Sequence, residues 1–178
     1  MYKIGICGAH GTGKTTLTRL ISDTFQIQSL ANTTTNFWPK IGVNNFELLP
    51  SDVRTVLQNH LLLNQIEAED QQLASFVTDR TVIDYLAHTI LDTTKSASEL
   101  SIYKTLVFER LKSYSHIIYC PIEFEVEKRK LRADLTKRDD IDKLILNFLE
   151  QNYSNKFLKV TGSVENRMNQ IQEFVFDI

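Results

Sequence analysis

The sequence has few of the residues that define fibrous or disulfide-stapled proteins. Its 178 residues include only 2 Cys, 3 Pro and 6 Gly. The apolar runs are a handful of residues long, whereas a transmembrane helix needs roughly 20. This composition argues against a collagen-like chain, a disulfide framework and a membrane-spanning segment. Cys7 and Cys120 lie in apolar, strand-like runs, so we expect two small buried side chains in a reducing, cytoplasmic compartment.

The sequence also lacks an excess of charge of one sign. Its 20 basic and 22 acidic residues give a net charge of -2 and a pI of about 6.1. Nonspecific binding to a nucleic acid depends on phosphate neutralisation by a basic surface, so this balance argues against such a partner. With 42% hydrophobic and 24% charged residues, the composition is that of a globular domain. The length predicts one domain over residues 1–178.

Apolar runs of strand length alternate with amphipathic helical segments. The predicted strands cover residues 2–7, 27–31, 75–79, 115–120 and 156–160, and helices fill most of the intervals, including residues 14–25, 51–72, 82–91, 98–112 and 163–175. The alternation predicts a parallel sheet with helices on both faces. In the helix over 51–72, Ser51 is the predicted N-cap. The residues that share its predicted face are Val53, Val56, Leu57, His60, Leu61 and Asn64.

A phosphate-binding pattern lies between the first strand and the first helix. Residues 8–15, GAHGTGKT, fit G-x-x-x-x-G-K-[ST]. The glycines let the backbone curl so that successive N–H groups face phosphate oxygens at the positive end of a helix. Lys14 places a cation on the β- and γ-phosphates, and the Thr15 hydroxyl is a ligand for Mg²⁺. We predict a nucleoside triphosphate site here, with the side chain of His10 facing solvent.

A second signal is the Asp79-Arg80 pair at the end of the third predicted strand. An apolar strand that ends in a carboxylate beside the phosphate loop is typical of a magnesium-holding aspartate, although such an Asp is also a common helix cap. Arg80 is not needed for simple hydrolysis. A phosphotransferase needs a cation there to hold the acceptor or the transferred group in line. The alternative is a structural ion pair with Asp84.

The third signal is a charge-rich segment over residues 123–140, which follows the fourth predicted strand. Such a run is often a solvated helix face. At this place, however, small P-loop kinases carry a mobile lid, which excludes water and supplies positive charge to the transition state. The candidates for this positive charge are Arg129, Arg132 and Arg138, because a guanidinium group can donate two hydrogen bonds to phosphate oxygens.

Together these segments resemble a known family. The stretches GAHGTGKT, TDRTVIDYLAH, RDDIDKLILNFLE and FLKVTGSVENRMNQI look like the small P-loop kinases of the AAA-type ATPase/kinase domain group. That group includes the ribosylnicotinamide kinase domain of bacterial regulators of NAD biosynthesis, and thymidylate and deoxynucleoside kinases are more distant kin. The resemblance spans nearly the whole chain. It implies a P-loop NTPase three-layer α/β sandwich, with a five-stranded parallel sheet in the order 2-3-1-4-5 and a lid at about residues 123–140.

The resemblance also implies an activity and a set of site residues. The expected activity is transfer of the γ-phosphoryl group of ATP, with Mg²⁺, to a nucleoside, a nucleotide or a nucleoside-like riboside. The expected catalytic residues are Lys14, Asp79, Arg132 and Arg138, and the metal ligands are Thr15 and Asp79. The ATP-binding residues would be Gly8, His10, Gly11, Thr12, Gly13, Lys14, Thr15, Thr16 and Gly162, the last in the loop where adenine is usually held. Arg80, Asn36, Phe37 and Trp38 would bind the acceptor.

Several alternatives stay open at this stage. Related nucleoside kinases often carry a carboxylate base after the second strand, which this chain lacks there, so the base is Asp79 or a more distant residue such as Glu67 or Glu69. Phe37 and Trp38 either stack on a planar base or belong to the core. A polynucleotide or modified-base kinase, and an ATPase or nucleotide-gated binding module without an acceptor, are the competing functions. A homodimer through the helix over 51–72 is a further possibility.

Overall fold

Five parallel strands form a single sheet in the centre of the molecule. The computed structural model describes residues 1–30, 37, 40–43, 46–92, 95–125, 135–153 and 156–177. The strands are β1 (Lys3–Cys7), β2 (Gln28–Leu30), β3 (Phe76–Asp79), β4 (His116–Tyr119) and β5 (Phe157–Lys159). Their order in the sheet is β2-β3-β1-β4-β5, which confirms the predicted order.

The helices lie where the alternating pattern predicts them. They are α1 (Lys14–Phe25), α2 (Ser51–Asp70), α3 (Val82–Asp92), α4 (Ala97–Leu111), α5 (Arg138–Tyr153) and α6 (Val164–Ile171), and α6 continues into a π-helical segment, Gln172–Phe176. Short 3₁₀ turns cover Phe46–Leu48 and Leu135–Lys137. A reciprocal capping box between Ser96 and Glu99 begins α4. The N-cap of α2 is Pro50 rather than the predicted Ser51, which is already helical.

The sheet separates two hydrophobic clusters, so the fold has three layers. Helices α2, α3, α4 and α5 pack together on one face, where Phe76, Leu86 and Ile117 belong to the core. Helices α1 and α6 pack on the other face, around Ile4, Ile6, Leu17, Val77 and Ile118. Because both faces are covered, the central strands are apolar on both sides. This explains why they are continuous apolar runs in the sequence.

The buried face of α2 differs from the predicted one. Val53 and Val56 are 39% and 65% exposed. Leu61 is the fully buried member of the predicted face, and the other buried side chains of α2 are Gln58, Leu62, Gln65 and Glu69. Three of these five buried residues are polar, and two of the three, Gln65 and Glu69, are bonded to each other (2.7 Å). A pattern of apolar residues alone therefore misses most of the buried face of this helix.

The predicted lid lies only partly within the described residues. Residues 126–134, which include Arg129 and Arg132, lie outside them. Arg138, Asp139 and Asp140 form the first turn of α5, so the end of the charge-rich segment is helical rather than part of a loop. A lid at about residues 123–140 stays a prediction.

The two cysteines are small buried side chains, as predicted. Cys7 and Cys120 are unpaired and fully buried. Burial raises the pKa of both thiols, that of Cys120 to about 12. Within the part of the chain that the structure describes, no helix is both long enough and apolar enough to cross a membrane.

Candidate active site

Parallel pairing brings the ends of β1 and β3 to the same edge of the sheet. Ile6 pairs with Asp79 across the two strands. The loop after β1, residues 8–13, therefore lies beside Asp79 and Arg80. Gly8 adopts a φ of 141°, and a Cβ atom on it would lie 2.3 Å from the carbonyl oxygen of Cys120. Only glycine fits this close approach, so the first glycine of the motif is required by packing.

The loop leaves the amino end of α1 open. Gly11 and Gly13 have φ values of 69° and 92°, which are accessible to glycine at little cost. Gly13 is the N-cap of α1, and no side chain caps this helix. Thr12 is buried and donates its hydroxyl hydrogen to the Ala9 carbonyl (3.0 Å). The first N–H groups of α1 lack acceptors within the helix, and with the helix dipole they make a site for an anion.

Lys14 extends back along the inside of this loop. Its ammonium group donates to the carbonyl oxygens of Gly8 (2.7 Å) and Ala9 (2.6 Å), and the residue is 7% exposed. Burial lowers the pKa of Lys14, although the carboxylates of Asp84 and Asp79 favour its charged form. The lysine is thus a buried cation in the middle of the phosphate loop. Thr16, in the same first turn of α1, is exposed.

The side-chain oxygens of Thr15 and Asp79 lie next to each other. The Thr15 hydroxyl donates to Asp79 Oδ2 at 2.5 Å, while Asp79 Oδ1 is buried and has no hydrogen-bond partner among the described residues. Mg²⁺ is usually held by one or two protein oxygens together with substrate phosphates and water. An unbonded carboxylate oxygen next to a hydroxyl is chemically suited to that ion. The two residues therefore fit the predicted metal site.

Asp84 anchors the phosphate loop to the end of β3. It is 1% exposed, and its carboxylate accepts hydrogen bonds from the N–H groups of Gly8 (3.1 Å) and Thr81 (2.8 Å). Burial raises the pKa of Asp84, although Lys14, Arg80 and the two N–H groups favour its charged form. The sequence suggested Asp84 only as an ion-pair partner of Arg80, but its two oxygens bind the Gly8 and Thr81 amides instead.

Arg80 has a strained backbone and a buried side chain. Its φ is 92°, in the left-handed region, which costs about 1–3 kcal/mol for a non-glycine residue. The backbone is held there because the Arg80 N–H donates to Ile6 O (3.0 Å) and its carbonyl accepts from the Thr78 hydroxyl (3.1 Å). The side chain donates from Nη2 to His10 Nδ1 (3.2 Å), and its buried Nε has no hydrogen-bond partner in the part of the chain that the structure describes. The Arg80 guanidinium thus lies beside the phosphate loop.

His10 does not face solvent as predicted. Its ring accepts the hydrogen bond from Arg80 and lies 5.1 Å, centroid to centroid, from the ring of His88 on α3. Its carbonyl accepts from Arg138 Nε (2.8 Å), and Arg138 Nη2 donates to the Phe124 carbonyl (3.1 Å). Arg80, which follows β3, and Arg138, on α5, therefore both donate hydrogen bonds to His10. The motif could not predict this, because the position of His10 accepts any residue type.

The pKa of His10 makes the stability of the fold depend on pH. Its pKa lies well below the usual 6.5, because burial and then the nearby cations disfavour the charged ring. Below about pH 6.5 the unfolded chain binds a proton that the folded chain does not, so the free energy of unfolding should fall as the pH falls. The groups that act on this ring are Arg80, His88, Lys14 and Arg138.

We expect this histidine to contribute a loss of up to about 1.4 kcal/mol per pH unit below about pH 6.5. Denaturant unfolding at about pH 7 and about pH 5.5 measures it, and His10→Asn should show a shallower decrease. If the two proteins lose the same stability between these pH values, the ring is not the titrating group that we infer.

The structure places the remaining predicted residues away from this group or does not describe them. Phe37 is half-buried, packs against the core and contacts the ring of His60 on α2 (5.2 Å between centroids). Asn36, Trp38 and Arg132 lie outside the described residues. The structure thus brings together His10, Lys14, Thr15, Asp79, Arg80 and Arg138 at one edge of the sheet.

Of the two α2 carboxylates that the sequence offers as the base, Glu69 is engaged inside the core. It is 1% exposed and accepts from Gln65 (2.7 Å), from Tyr114 (2.6 Å) and from two nitrogens of Arg110 (3.1 and 3.2 Å). Glu67 is exposed and lies near Gln71. Two other carboxylates lie beside the phosphate loop: Asp84, which is bonded to the Gly8 and Thr81 amides, and Asp79.

Sequence reasoning missed a third arginine that reaches the phosphate loop, besides Arg80 and Arg138. Arg167 on α6 is 2% exposed and donates from Nη1 to Thr12 O (2.7 Å) and from Nε to Gly162 O (3.1 Å). Its Nη2 forms an ion pair with Glu123, which also accepts from the Gly162 N–H (2.9 Å). The polar backbone atoms of Gly162 are thus bonded within the chain. A role of this residue in adenine binding stays a prediction.

One sequence signal could have pointed to Arg167. Ser163 is the N-cap of α6, and Arg167 follows it by four residues. Side chains of a helix point toward its amino end, so an arginine at this position reaches back to the loop before the helix.

Comparison with known proteins agrees with this fold. The AAA domain family model matches residues 3–167, so the chain belongs to that family. No curated protein sequence is significantly similar to it.

Among solved structures, a NadR protein in complex with NR matches with a TM-score of 0.74 and 14% identity over 97% of this chain. The chain spans about half of that protein, 51%. Deoxyadenosine kinase from M. mycoides with bound dATP has a TM-score of 0.69 and 18% identity, over 96% of this chain and 97% of that one. Thymidylate kinase from Ehrlichia chaffeensis has a TM-score of 0.64 and 12% identity, with 96% and 97% covered. The fold is that of the small P-loop kinases, as the sequence predicts.

Proposed function

We propose that the protein is an ATP-dependent kinase that transfers a γ-phosphoryl group to a nucleoside, a nucleotide or a nucleoside-like riboside. The observation that carries this proposal is the position of the Arg80 side chain. Arg80 lies directly after Asp79, is 7% exposed, and has a buried N–H beside the phosphate loop for which the described residues offer no acceptor. A site that only hydrolyses a triphosphate needs no second cation there, whereas a transferase must hold two reacting groups in line.

Each residue at the sheet edge has a role in this reaction. The N–H groups at the start of α1 and the ammonium of Lys14 bind the triphosphate. To do so, Lys14 exchanges the carbonyls of Gly8 and Ala9 for phosphate oxygens. Thr15 and Asp79 would hold Mg²⁺, which when bound would supply positive charge at the phosphates.

Arginine side chains supply the rest of the positive charge. Arg80 orients the acceptor or the transferred group. Arg138 lies next to the phosphate loop, where it donates a hydrogen bond to the His10 carbonyl. Arg132 of the proposed lid is a third candidate. Guanidinium groups suit this task because they bind phosphate oxygens with two parallel hydrogen bonds. Where the acceptor is a hydroxyl group, Asp79 is our candidate to accept its proton. Glu69 is engaged with Gln65, Arg110 and Tyr114, and Asp84 is engaged with the amides of Gly8 and Thr81.

Replacement of Arg80 separates transfer from simple nucleotide binding. We expect Arg80→Ala to lower acceptor-dependent transfer by about 10²–10³-fold, the usual effect of removing one preorganised charged donor. Affinity for ATP should change only a few-fold, because Lys14 and the loop amides remain. Steady-state rates with and without acceptor, together with ATP titrations, measure both effects.

Arg80→Gly is the companion variant, because glycine adopts the φ of 92° without strain. It also removes the guanidinium, so both variants should lose transfer equally. If ATP turnover in either folded variant matches that of the wild type, with no dependence on an acceptor, the protein is an ATPase or a nucleotide-gated module instead.

The acceptor can be identified by its effect on stability. A ligand that binds only the folded state stabilises it by about 2.7 kcal/mol at 100 times its dissociation constant. A thermal-shift panel of nucleosides, mononucleotides and ribosides, with and without ATP, should therefore single out the true acceptor. Short oligonucleotides belong in the panel, because a shift that they cause and that salt abolishes indicates a polynucleotide kinase.

We also propose a cytoplasmic location and a homodimer. Two unpaired cysteines suit a reducing compartment. Helices α2 and α4 expose Leu63 (56%), Ile102 (71%) and Leu106 (42%) along a groove of about 300 Å³. Adjacent exposed apolar side chains often mark an interface. The sedimentation mass in solution distinguishes a dimer from a monomer.

A further inference from the structure

Arg167 connects three segments that lie far apart in the sequence. It donates to the carbonyl of Thr12 in the phosphate loop and to that of Gly162 before α6, and it pairs with Glu123 after β4. We infer that Arg167 is a positioning residue for the nucleotide: it fixes the Thr12–Gly13 peptide in the orientation that binds phosphate. This inference rests on the proposed function, because it concerns the same site. We call Arg167, Glu123 and their backbone partners the Arg167 clamp.

The geometry of a single peptide group links Arg167 to the phosphate site. A trans peptide is planar, and its C=O and N–H point in opposite directions. The Arg167 guanidinium holds the Thr12 carbonyl at 2.7 Å. The N–H of Gly13 must then point away from Arg167. Gly13 is the N-cap of α1, next to the amides that bind phosphate in loops of this pattern.

This peptide would be free to rotate without the clamp. Glycine populates positive and negative φ about equally, so a peptide plane next to Gly13 flips at little steric cost. A flip would turn a carbonyl oxygen toward the phosphate in place of an N–H. Arg167 prevents this before any nucleotide arrives, and a preorganised donor costs no reorganisation on binding.

The clamp also fixes the loop over residues 161–163. The Gly162 carbonyl accepts from Arg167, and its N–H donates to Glu123. The side chain of Gln170 on α6 bonds both backbone groups of Thr161, at 3.2 and 3.0 Å. The phosphate loop and this loop are therefore held in one fixed relation by α6.

The charge of the arginine is balanced inside the clamp. Arg167 is 2% exposed, and an unpaired guanidinium buried to that degree would be costly. Glu123 supplies the opposite charge, and the ring of Phe124 lies 5.0 Å from the guanidinium carbon. Glu123 thus keeps Arg167 from acting as a further free cation at the triphosphate. Its effect on the nucleotide passes through the Thr12 carbonyl.

A purely structural role would give a different result from a positioning role, and Arg110 provides the matched control. It lies on α4 and forms an ion pair with the buried Glu69 (3.1 Å), in a network that contains no phosphate-loop residue. If Arg167 only stabilises the fold, Arg167→Met and Arg110→Met should both lower the thermal midpoint and leave nucleotide affinity unchanged. If Arg167 positions the loop, only Arg167→Met should weaken nucleotide binding.

The experiment is calorimetric titration of the folded proteins with Mg²⁺ and the ATP analogue AMP-PNP. For Arg167→Met we expect the dissociation constant to rise by roughly 10- to 100-fold, the range for losing a hydrogen bond to a charged donor. Arg167→Lys keeps one cationic donor and should give an intermediate value. In transfer assays, the KM for ATP should rise more than kcat falls.

Each outcome decides the inference. If folded Arg167→Met binds AMP-PNP as tightly as the wild type, or if the Arg110→Met control loses as much affinity, the positioning role is wrong. Neither result contradicts the proposed kinase activity. If Arg167→Met does not fold, the Arg167→Lys titration decides between the two roles by the same criterion. If the wild type binds AMP-PNP but phosphorylates no acceptor, the proposed function fails while the clamp is still judged by its affinities. If the wild type binds no nucleotide, both fail.

Discussion

Replacement of Lys14 by alanine is expected to reduce phosphoryl transfer by at least about 10²–10³-fold and to leave the fold intact. The side chain supplies the buried cation of the phosphate loop. Its only described hydrogen bonds are to the carbonyls of Gly8 and Ala9 within that loop. Its removal therefore affects the developing charge on the phosphate far more than it affects the core.

The exposed Arg19 provides a control for this variant. It is a cation on the same helix, α1, but its side chain lies on the surface, so Arg19→Ala should keep full activity. Circular dichroism of both variants should match that of the wild type. If Lys14→Ala retains transfer, or if its helical signal collapses, the residue has a structural role rather than the catalytic role assigned here.

Replacement of Asp79 by asparagine should be nearly as damaging to activity, for a different reason. The asparagine keeps an oxygen that can accept from Thr15, but it loses the negative charge that the metal requires. We expect transfer to fall by about 10³-fold or more, and the Mg²⁺ concentration for half-maximal rate to rise. A magnesium titration of the residual activity measures this shift.

The stability of this variant distinguishes it from a structural one. Asp79 Oδ1 is buried and no described residue donates to it, so neutralising the carboxylate should leave the thermal midpoint unchanged or raise it. Asp84→Asn should instead lower the thermal midpoint, because the Asp84 carboxylate accepts hydrogen bonds from the Gly8 and Thr81 amides. A large loss of stability in Asp79→Asn, with normal magnesium dependence, would contradict the proposed metal site.

Local patterns in the sequence predict most of the fold and the phosphate loop. The motif over residues 8–15 works because a chain-local arrangement, a strand followed by glycines and a helix, is enough to make it. The strands could be found because burial on both faces makes them short, continuous apolar runs. The adjacency of Asp79 to Thr15 then follows from the pairing of β1 with β3.

Contacts between distant residues could not be found in the same way. Arg80 has two possible partners, Asp84 and His10, and the choice of His10 depends on the strained backbone after β3. Arg167 lies 155 residues from Thr12, so no local pattern connects the two. On α2, Gln65 and Glu69 are buried because Thr78, Arg110 and Tyr114 satisfy them, and a hydrophobic pattern places such residues on the surface.

The most direct test of the proposed transfer uses ATP labelled in its γ-phosphoryl group. The protein, Mg²⁺ and labelled ATP are incubated with each nucleoside, mononucleotide and riboside in turn, and the products are separated. We predict that label appears in one acceptor class, at a rate that depends on that acceptor and is lost in Arg80→Ala. Label found only in inorganic phosphate, released at the same rate whether or not an acceptor is present, would contradict the proposed kinase.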